Sequence, residues 1–368
     1  MRQGPGGRAS RLAPPLVAMA ALLTLYGLGA VRLAHAVKPD PAAPMIRIVQ
    51  ADVPQEAKYE TAGIRAIFDR YVALTALPPK PGARPIDIVV WSEGAVPVSA
   101  NEMLAPDSWT AQAIAAAMHP GESLLLGAYR IAGDPDRPVY YNSLIATRAG
   151  ANGLAITGVY DKYRLVPFGE YLPMPSILQA IGFKDLTHIG DSFAFGPRPR
   201  AIAPAGMPAV QPLICYEGLF PGFTREGVAR GGPRPSWIVN VSNDAWFGVT
   251  SGPIQHLNLA SYRAIEEGLP IVRATPTGVS AIIDSYGRVE SANRLGLEAK
   301  GVVDAPLPSR SANTTYSRLG DLPLALLFVL SVLSIGAPAL LRAYNLPSTS
   351  SALWTKHESG TGAPREEH

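Results

Sequence analysis

Gln211-Pro-Leu-Ile-Cys-Tyr-Glu-Gly-Leu-Phe220 holds the one cysteine in 368 residues. A short apolar run leads into Cys215 and a glycine follows at 218. The stretch reads as a buried strand ending at a sharp turn, with the thiol at the mouth of a site. A lone cysteine has no intramolecular disulfide partner, so its roles are packing, intermolecular pairing or nucleophilic chemistry. Free thiols are most often small buried hydrophobes, and this stretch alone leaves that role open.

Two further segments weigh toward chemistry. Ile86-Asp-Ile-Val-Val-Trp-Ser-Glu93 is an apolar, β-branched run that delivers a glutamate at its end. Tyr160-Asp-Lys162-Tyr-Arg-Leu-Val-Pro-Phe-Gly-Glu170 sets a lysine before an aromatic, Pro- and Gly-rich loop. Thiol acyl transfer needs a nucleophile, a base for its proton and a cation for the developing oxyanion. Cys215, Glu93 and Lys162 supply those three parts, each beside a strand end.

These segments resemble the Glu–Lys–Cys triad of the nitrilase superfamily, and within it the apolipoprotein N-acyltransferase family. The likeness runs on through Ile48-Val-Gln-Ala-Asp-Val-Pro-Gln55, Tyr141-Asn-Ser-Leu-Ile145, Asn240-Val-Ser-Asn-Asp-Ala-Trp-Phe-Gly248 and Arg263 to Thr275, covering most of residues 45–305. It implies an α-β-β-α sandwich with the triad at strand ends along one edge. In that scheme Cys215 attacks an acyl carbonyl to form a thioester and Glu93 takes the thiol proton. Lys162 holds the oxyanion together with the backbone N–H of Tyr216, and its charge is expected to lower the thiol pKa. Glu170 matches a second glutamate beside the triad, expected to orient Lys162 or the substrate amine.

Tyr216 and Glu217 are expected to support the site from behind, although Glu217 could as well cap the turn that follows. Asn243 and Trp246 lie in a polar–aromatic turn after a strand, where asparagine is also favoured for backbone reasons; Trp246 is a candidate cavity wall. Tyr59 stands where family members carry a tryptophan near the substrate. His256 is expected to be structural, and Arg273 to pair with a buried carboxylate.

The resemblance also implies partners and a place: a phospholipid acyl donor, a lipoprotein acceptor, and a bacterial inner membrane with the catalytic domain in the periplasm. Composition fits such attachment, with 47% hydrophobic against 17% charged residues. A net charge of +3 with no Lys/Arg-rich run leaves no nucleic-acid footprint. No Cys/His pair has metal-ligand spacing and no GxGxxG or P-loop occurs, so neither metal nor cofactor is expected.

The chain divides into five parts. Residues 1–11 are a short basic terminus, expected on the cytoplasmic side. Residues 12–34 read as a transmembrane helix or signal anchor, since Leu12 to Val31 is uncharged and long enough to cross a bilayer. Cleavage after Ala34-His35-Ala36 is the alternative. Residues 45–308 form the catalytic domain, 320–342 a second transmembrane helix, and 343–368 a polar tail expected to be disordered. Arginines flank both apolar runs on the side of the termini, which puts both termini in the cytoplasm. Family members carry several membrane helices before the catalytic domain, whereas one run precedes it here.

Inside the domain, strand-like runs at 46–51, 86–91, 123–128, 143–147, 212–215, 237–241, 271–274 and 279–284 alternate with helix-like stretches at 59–77, 108–118, 223–229 and 254–267. That alternation argues for an α/β layered fold. Two other functions fit the same residues: an exported carbon–nitrogen hydrolase, with water in place of the amine, and a conjugal-transfer-associated membrane protein with a nitrilase-like domain.

Overall fold

The computed structural model describes residues 8–54, 61–174 and 192–344. Helix α1 (Arg8–Ala34) comes first. Its portion Pro14–Ala34 is, among the described residues, the one helix long and apolar enough to cross a membrane.

The next stretch builds one sheet and its helical cover. Strand β1 (Met45–Gln50) is followed by α2 (Thr61–Thr75), β2 (Ile88–Trp91), α3 (Ala100–Met103) and α4 (Trp109–Ala117). Then β3 (Ser123–Asp134), β4 (Arg137–Gly150) and β5 (Gly153–Asp161) form an antiparallel meander. Helix α4 starts where the sequence pattern puts it because the Ser108 hydroxyl accepts from the Ala111 N–H, and it stops at Met118.

A second sheet comes from the following residues: β6 (Val210–Ile214), α5 (Phe223–Ala229), β7 (Trp237–Val241), α6 (Gly252–Glu267), β8 (Ile271–Ala274), β9 (Ser280–Ile283) and β10 (Val289–Leu295). Strand β11 (Gly301–Pro306) returns to pair antiparallel with β1. The sheet orders are β11-β1-β2-β3-β4-β5 and β10-β9-β8-β7-β6. Helices α7 (Thr315–Leu319) and α8 (Leu322–Tyr344) end the described chain.

Burial explains the apolar runs. Along β1 and β2 every residue is buried, because side chains alternate between two covered faces. Ile46, Ile48, Ile88 and Val90 meet Val239, Val241, Val272 and Ile282 of the second sheet. Val49, Val89 and Trp91 turn the other way, onto Phe68 and Tyr71 of α2 and Ile114 of α4. Behind the second sheet, Ile238, Ile271 and Ala281 pack on Phe223, Leu257 and Ala264. The result is the four-layered α-β-β-α sandwich.

β3 and β4 run on well past the expected 123–128 and 143–147, and three further strands were not expected at all. β5 was not expected because it is an edge strand with two glycines and half-exposed side chains, which leaves it without an apolar run. β10 has the same partly exposed character, and the apolar run of β11 is interrupted in sequence by Asp304. That aspartate is structural: it receives the buried Arg47 guanidinium of β1 at 2.8 and 2.7 Å. The expected second membrane span is not met among the described residues. Helix α8 forms, but among the described residues its apolar stretch is the shorter Leu322–Ser334. The tail from 345 onward lies outside the described residues.

Candidate active site

Strand β6 stops one residue before the cysteine. Cys215 begins a tight helical turn, Cys215–Leu219, with φ +48°, in the left-handed region that non-glycine residues seldom occupy. Several groups hold it there. The buried Glu217 carboxylate accepts from the backbone N–H of Ile214 at 2.8 Å, Tyr163 at 2.7 Å and Arg164 at 3.1 Å, and from the Tyr160 hydroxyl at 3.0 Å. It therefore caps the turn and also ties it to the segment after Lys162. Burial pushes its carboxyl up to about 7, against the pull of those backbone N–H groups. From α6, Arg263 donates to the Leu219 carbonyl at 2.7 Å, and His256 Nε2 lies 3.3 Å from the Cys215 carbonyl. One helix thus grips both ends of the cysteine turn.

Glu93 follows β2 by two residues and Lys162 follows β5 directly. Buried Lys162 Nζ lies 3.2 Å from Glu93 Oε1 and 2.9 Å from Glu170 Oε1. Asn142 of β4 bridges the same two carboxylates, donating from Nδ2 to each at 2.7 Å. The second Glu93 oxygen accepts from the Asn243 N–H at 2.8 Å, and the second Glu170 oxygen from Val166 N–H at 2.8 Å. Gly127 of β3 makes this approach feasible: a Cβ there would sit 2.6 Å from Glu93 Cα.

Electrostatics follow from this packing. Burial disfavours a charged Glu93, but Lys162, Asn142 and the Asn243 N–H outweigh it and hold the carboxyl below its usual range. Burial likewise opposes the Lys162 cation, yet Glu170, Glu93 and Cys215 raise its pKa overall. The thiol departs from expectation. Lys162 does pull it down, but burial and the Glu93 charge win, and Cys215 is pushed up to about 12. The resting sulfur is a neutral thiol beside an ionised carboxylate, the arrangement in which a base has a proton to take.

A second buried network stands behind the cysteine. Asp244 receives Arg273 Nη2 at 2.9 and 2.7 Å, the Ser242 hydroxyl at 2.8 Å, and faces His256 Nδ1 at 3.0 Å. Burial works against the Asp244 charge, but Arg273 and His256 hold its carboxyl far down. Arg273 therefore pairs with a buried carboxylate, as the sequence suggested, while His256 bridges Asp244 and the Cys215 carbonyl and also lines the cavity around the thiol. Ser242 favours the charged form of the Cys215 sulfur, but too weakly to offset burial and the Glu93 charge. Gly278 lets Asp244 in, since a Cβ there would meet its Cβ at 2.5 Å.

Glu93, Lys162, Glu170 and Cys215 line one cavity of about 680 Å³. Tyr216, Asn243 and Trp246 share that lining, and its remaining walls are largely apolar, among them Val166, Phe168, Leu219, Phe247 and Leu259. Glu217 lies behind the turn, and Tyr59 lies outside the described residues. Sequence reasoning gave no role to Asn142 or Ser242. The signal for Asn142 was a buried amide at the start of the apolar 142–147 run, readable only once the strand's partners are known.

A cysteine at a strand-end turn, facing a buried Glu–Lys pair in a four-layer sandwich, defines a class, and the chain belongs to it: the carbon–nitrogen hydrolase family model matches residues 46–316. Two relatives narrow the comparison. The protein named apolipoprotein N-acyltransferase from Caulobacter vibrioides is 48% identical over 334 residues, covering 90% of this chain and 61% of that protein. Its namesake from Bradyrhizobium diazoefficiens is 38% identical over 328 residues, covering 87% and 58%. The chain thus spans about six-tenths of the length of these relatives. A solved CN-hydrolase superfamily protein from Xanthomonas campestris aligns over 72% of this chain and 90% of its own, with 20% identity and a TM-score of 0.48.

Proposed function

We propose that this protein is a membrane-attached N-acyltransferase that moves a fatty acyl chain from a phospholipid to the N-terminal cysteine amine of a lipoprotein. The observation that carries this reading is a largely apolar cavity lined by Cys215, Glu93 and Lys162, in a chain 48% identical to a protein named for that activity. The cavity suits an alkyl chain, which a site made only for small polar amides would not need.

The reaction follows from the site. Glu93 takes the Cys215 proton as sulfur attacks the ester carbonyl, and Lys162 with the Tyr216 N–H stabilises the oxyanion. The C–O bond breaks, the C–S bond remains, and the proton passes from Glu93 to the departing lysophospholipid oxygen. An incoming amine then attacks the thioester; C–N forms, C–S breaks, and the amine proton returns through Glu93 to the thiolate. Glu170 and Asn142 orient Lys162 and Glu93 throughout. With water as acceptor the same steps make a hydrolase. Expression in cells depleted of their own N-acyltransferase tests the reading. Growth and triacylated lipoprotein are expected, and failure of both, with the protein present in the membrane, would overturn it.

The proposal includes the topology: α1 and α8 as spans, both termini cytoplasmic, and the 45–308 domain in the periplasm of a bacterial inner membrane. It is supported by Arg2, Arg8 and Arg11 before the first apolar run and by Arg342 and Lys356 after the second. Reporter fusions at Gly150 and His368 should fall in opposite compartments; one shared compartment would remove the second span.

A further inference from the structure

The Cys215 carbonyl and the Tyr216 N–H are the two ends of one peptide unit, and the acyl-transfer steps above use only the second. The first is held. His256 of α6, 6% exposed, sets Nε2 3.3 Å from the Cys215 carbonyl oxygen and Nδ1 3.0 Å from Asp244 Oδ1. A carbonyl oxygen only accepts, and so does Asp244, kept ionised beside Arg273. The ring therefore donates from both nitrogens. Asp244 is itself fixed, because both its oxygens receive Arg273 and one receives the Ser242 hydroxyl. A buried chain, Arg273–Asp244–His256, thus ends on a single backbone oxygen. Of the three, His256 alone reaches the lining of the Cys215 cavity.

Holding that oxygen has a consequence across the peptide plane. In a trans peptide the C=O and N–H point in opposite directions, so a carbonyl turned to α6 sends the Tyr216 N–H away from α6. Tyr216 shares the cavity lining with Lys162 and Glu93. Its N–H belongs to the first residues of the Cys215–Leu219 turn, where an N–H has no acceptor inside the turn. The other anchors act elsewhere: Glu217 holds the Ile214 N–H and Arg263 the Leu219 carbonyl. The plane between residues 215 and 216 is left to His256.

We infer that His256, backed by Asp244 and Arg273, is a positioning residue for the oxyanion site: it holds the Cys215 carbonyl so that the Tyr216 N–H faces the developing oxyanion together with Lys162. The inference rests on the reading of Cys215 as the nucleophile of acyl transfer. His256 acts through the peptide plane and donates to no reacting atom. Its effect therefore falls on steps that build negative charge on an acyl oxygen. A displacement at sulfur that builds no oxyanion does not need it.

The test compares the full wild-type chain in detergent with His256→Leu and His256→Gln, the glutamine amide being able to donate to the same carbonyl. Because the chain has one cysteine, carbonyl-labelled (carbon-13) cysteine and nitrogen-15 tyrosine mark a single peptide bond, Cys215–Tyr216. Its one carbon–nitrogen correlated NMR signal should move in His256→Leu and stay near the wild-type position in His256→Gln. Single-turnover acylation of Cys215 by p-nitrophenyl butyrate should fall about 10²-fold at saturating ester in His256→Leu, the effect of a misplaced donor. The half-saturating concentration should not change, and His256→Gln should recover most of the rate. Alkylation by iodoacetamide forms C–S, breaks C–I and sends the thiol proton to Glu93, with no oxyanion. It should keep the wild-type rate in both variants, which also excludes misfolding. An unmoved NMR signal in His256→Leu would overturn the inference, as would acylation within a few-fold of wild type. An equal loss of acylation and alkylation would overturn it too, since that marks a merely structural residue. The two readings fail separately. Wild-type acylation by the soluble ester but never by vesicle phospholipid removes the transferase and keeps the role of His256. Phospholipid acylation at equal rates in wild type and His256→Leu does the reverse.

Discussion

Cys215→Ala should give a folded, membrane-bound protein with no acyl transfer and no covalent acyl adduct. Cysteine 215 is the one thiol in the chain, so no second sulfur can take its place. Alanine keeps a Cβ, so the φ of +48° costs the same in both proteins. The clamps on the turn come from Glu217, His256 and Arg263 and act on backbone or neighbouring groups, never on the sulfur. Stability should therefore change little while chemistry stops. Removing the nucleophile of a triad-type site lowers turnover on the order of 10⁶-fold. Intact-protein mass spectrometry after incubation with phospholipid reads the outcome. The wild type should gain one fatty acyl chain, lose it to hydroxylamine, and discharge it onto a lipopeptide with a free amine. A transferase must keep its thioester until the amine arrives, whereas a hydrolase releases it to water. Wild-type-like turnover in Cys215→Ala would refute the thioester route altogether.

Much of the architecture was legible where burial on two faces forces apolar runs. Strands β7 and β8 have the bounds read from the sequence, because every residue in them is buried. The four-layer arrangement was implied by resemblance, since periodicity does not say how many sheets the strands make. Edge strand β5 was invisible for the opposite reason: partly wetted and glycine-containing, it looks like loop, yet it delivers Lys162. The sequence also brought Glu93, Lys162 and Cys215 into view as neighbours of strand ends, and Glu170 through the resemblance, and the structure gathers all four around one cavity. What it concealed was the balance of forces at the sulfur. A nearby lysine suggests a lowered thiol pKa, but desolvation and the charge of Glu93 depend on three-dimensional packing and reverse the sign.

Lys162→Met should lower the rate of acylation on the order of 10²–10³-fold, the usual effect of removing one oxyanion donor. Methionine fills the volume of the lysine stem but leaves Glu93 and Glu170 facing each other across Asn142 without a cation. Breaking a buried ion pair from one side costs about 3–5 kcal/mol, so unfolding should also need less urea. The pH dependence separates this from a general loss of fold. In the wild type the Glu93 pKa is depressed, because Lys162 and its hydrogen bonds outweigh burial. Its stabilising contribution is then present above the unfolded carboxylate pKa and is lost as pH falls through the lower folded value. In the variant burial is no longer offset, the pKa rises, and the sign inverts. Folded protein then favours the protonated acid, and stability declines as pH rises through the new value. A protonated Glu93 cannot accept the thiol proton, so the acid limb of the single-turnover rate should move to higher pH. Rates measured by mass spectrometry between pH 5 and pH 9 (roughly the range in which both enzymes stay folded), with urea unfolding at the two ends, give both signs. A variant that is less stable yet acylates within a few-fold of the wild type, on an unshifted acid limb, would reduce Lys162 to a structural counter-ion and leave the oxyanion to backbone N–H groups alone.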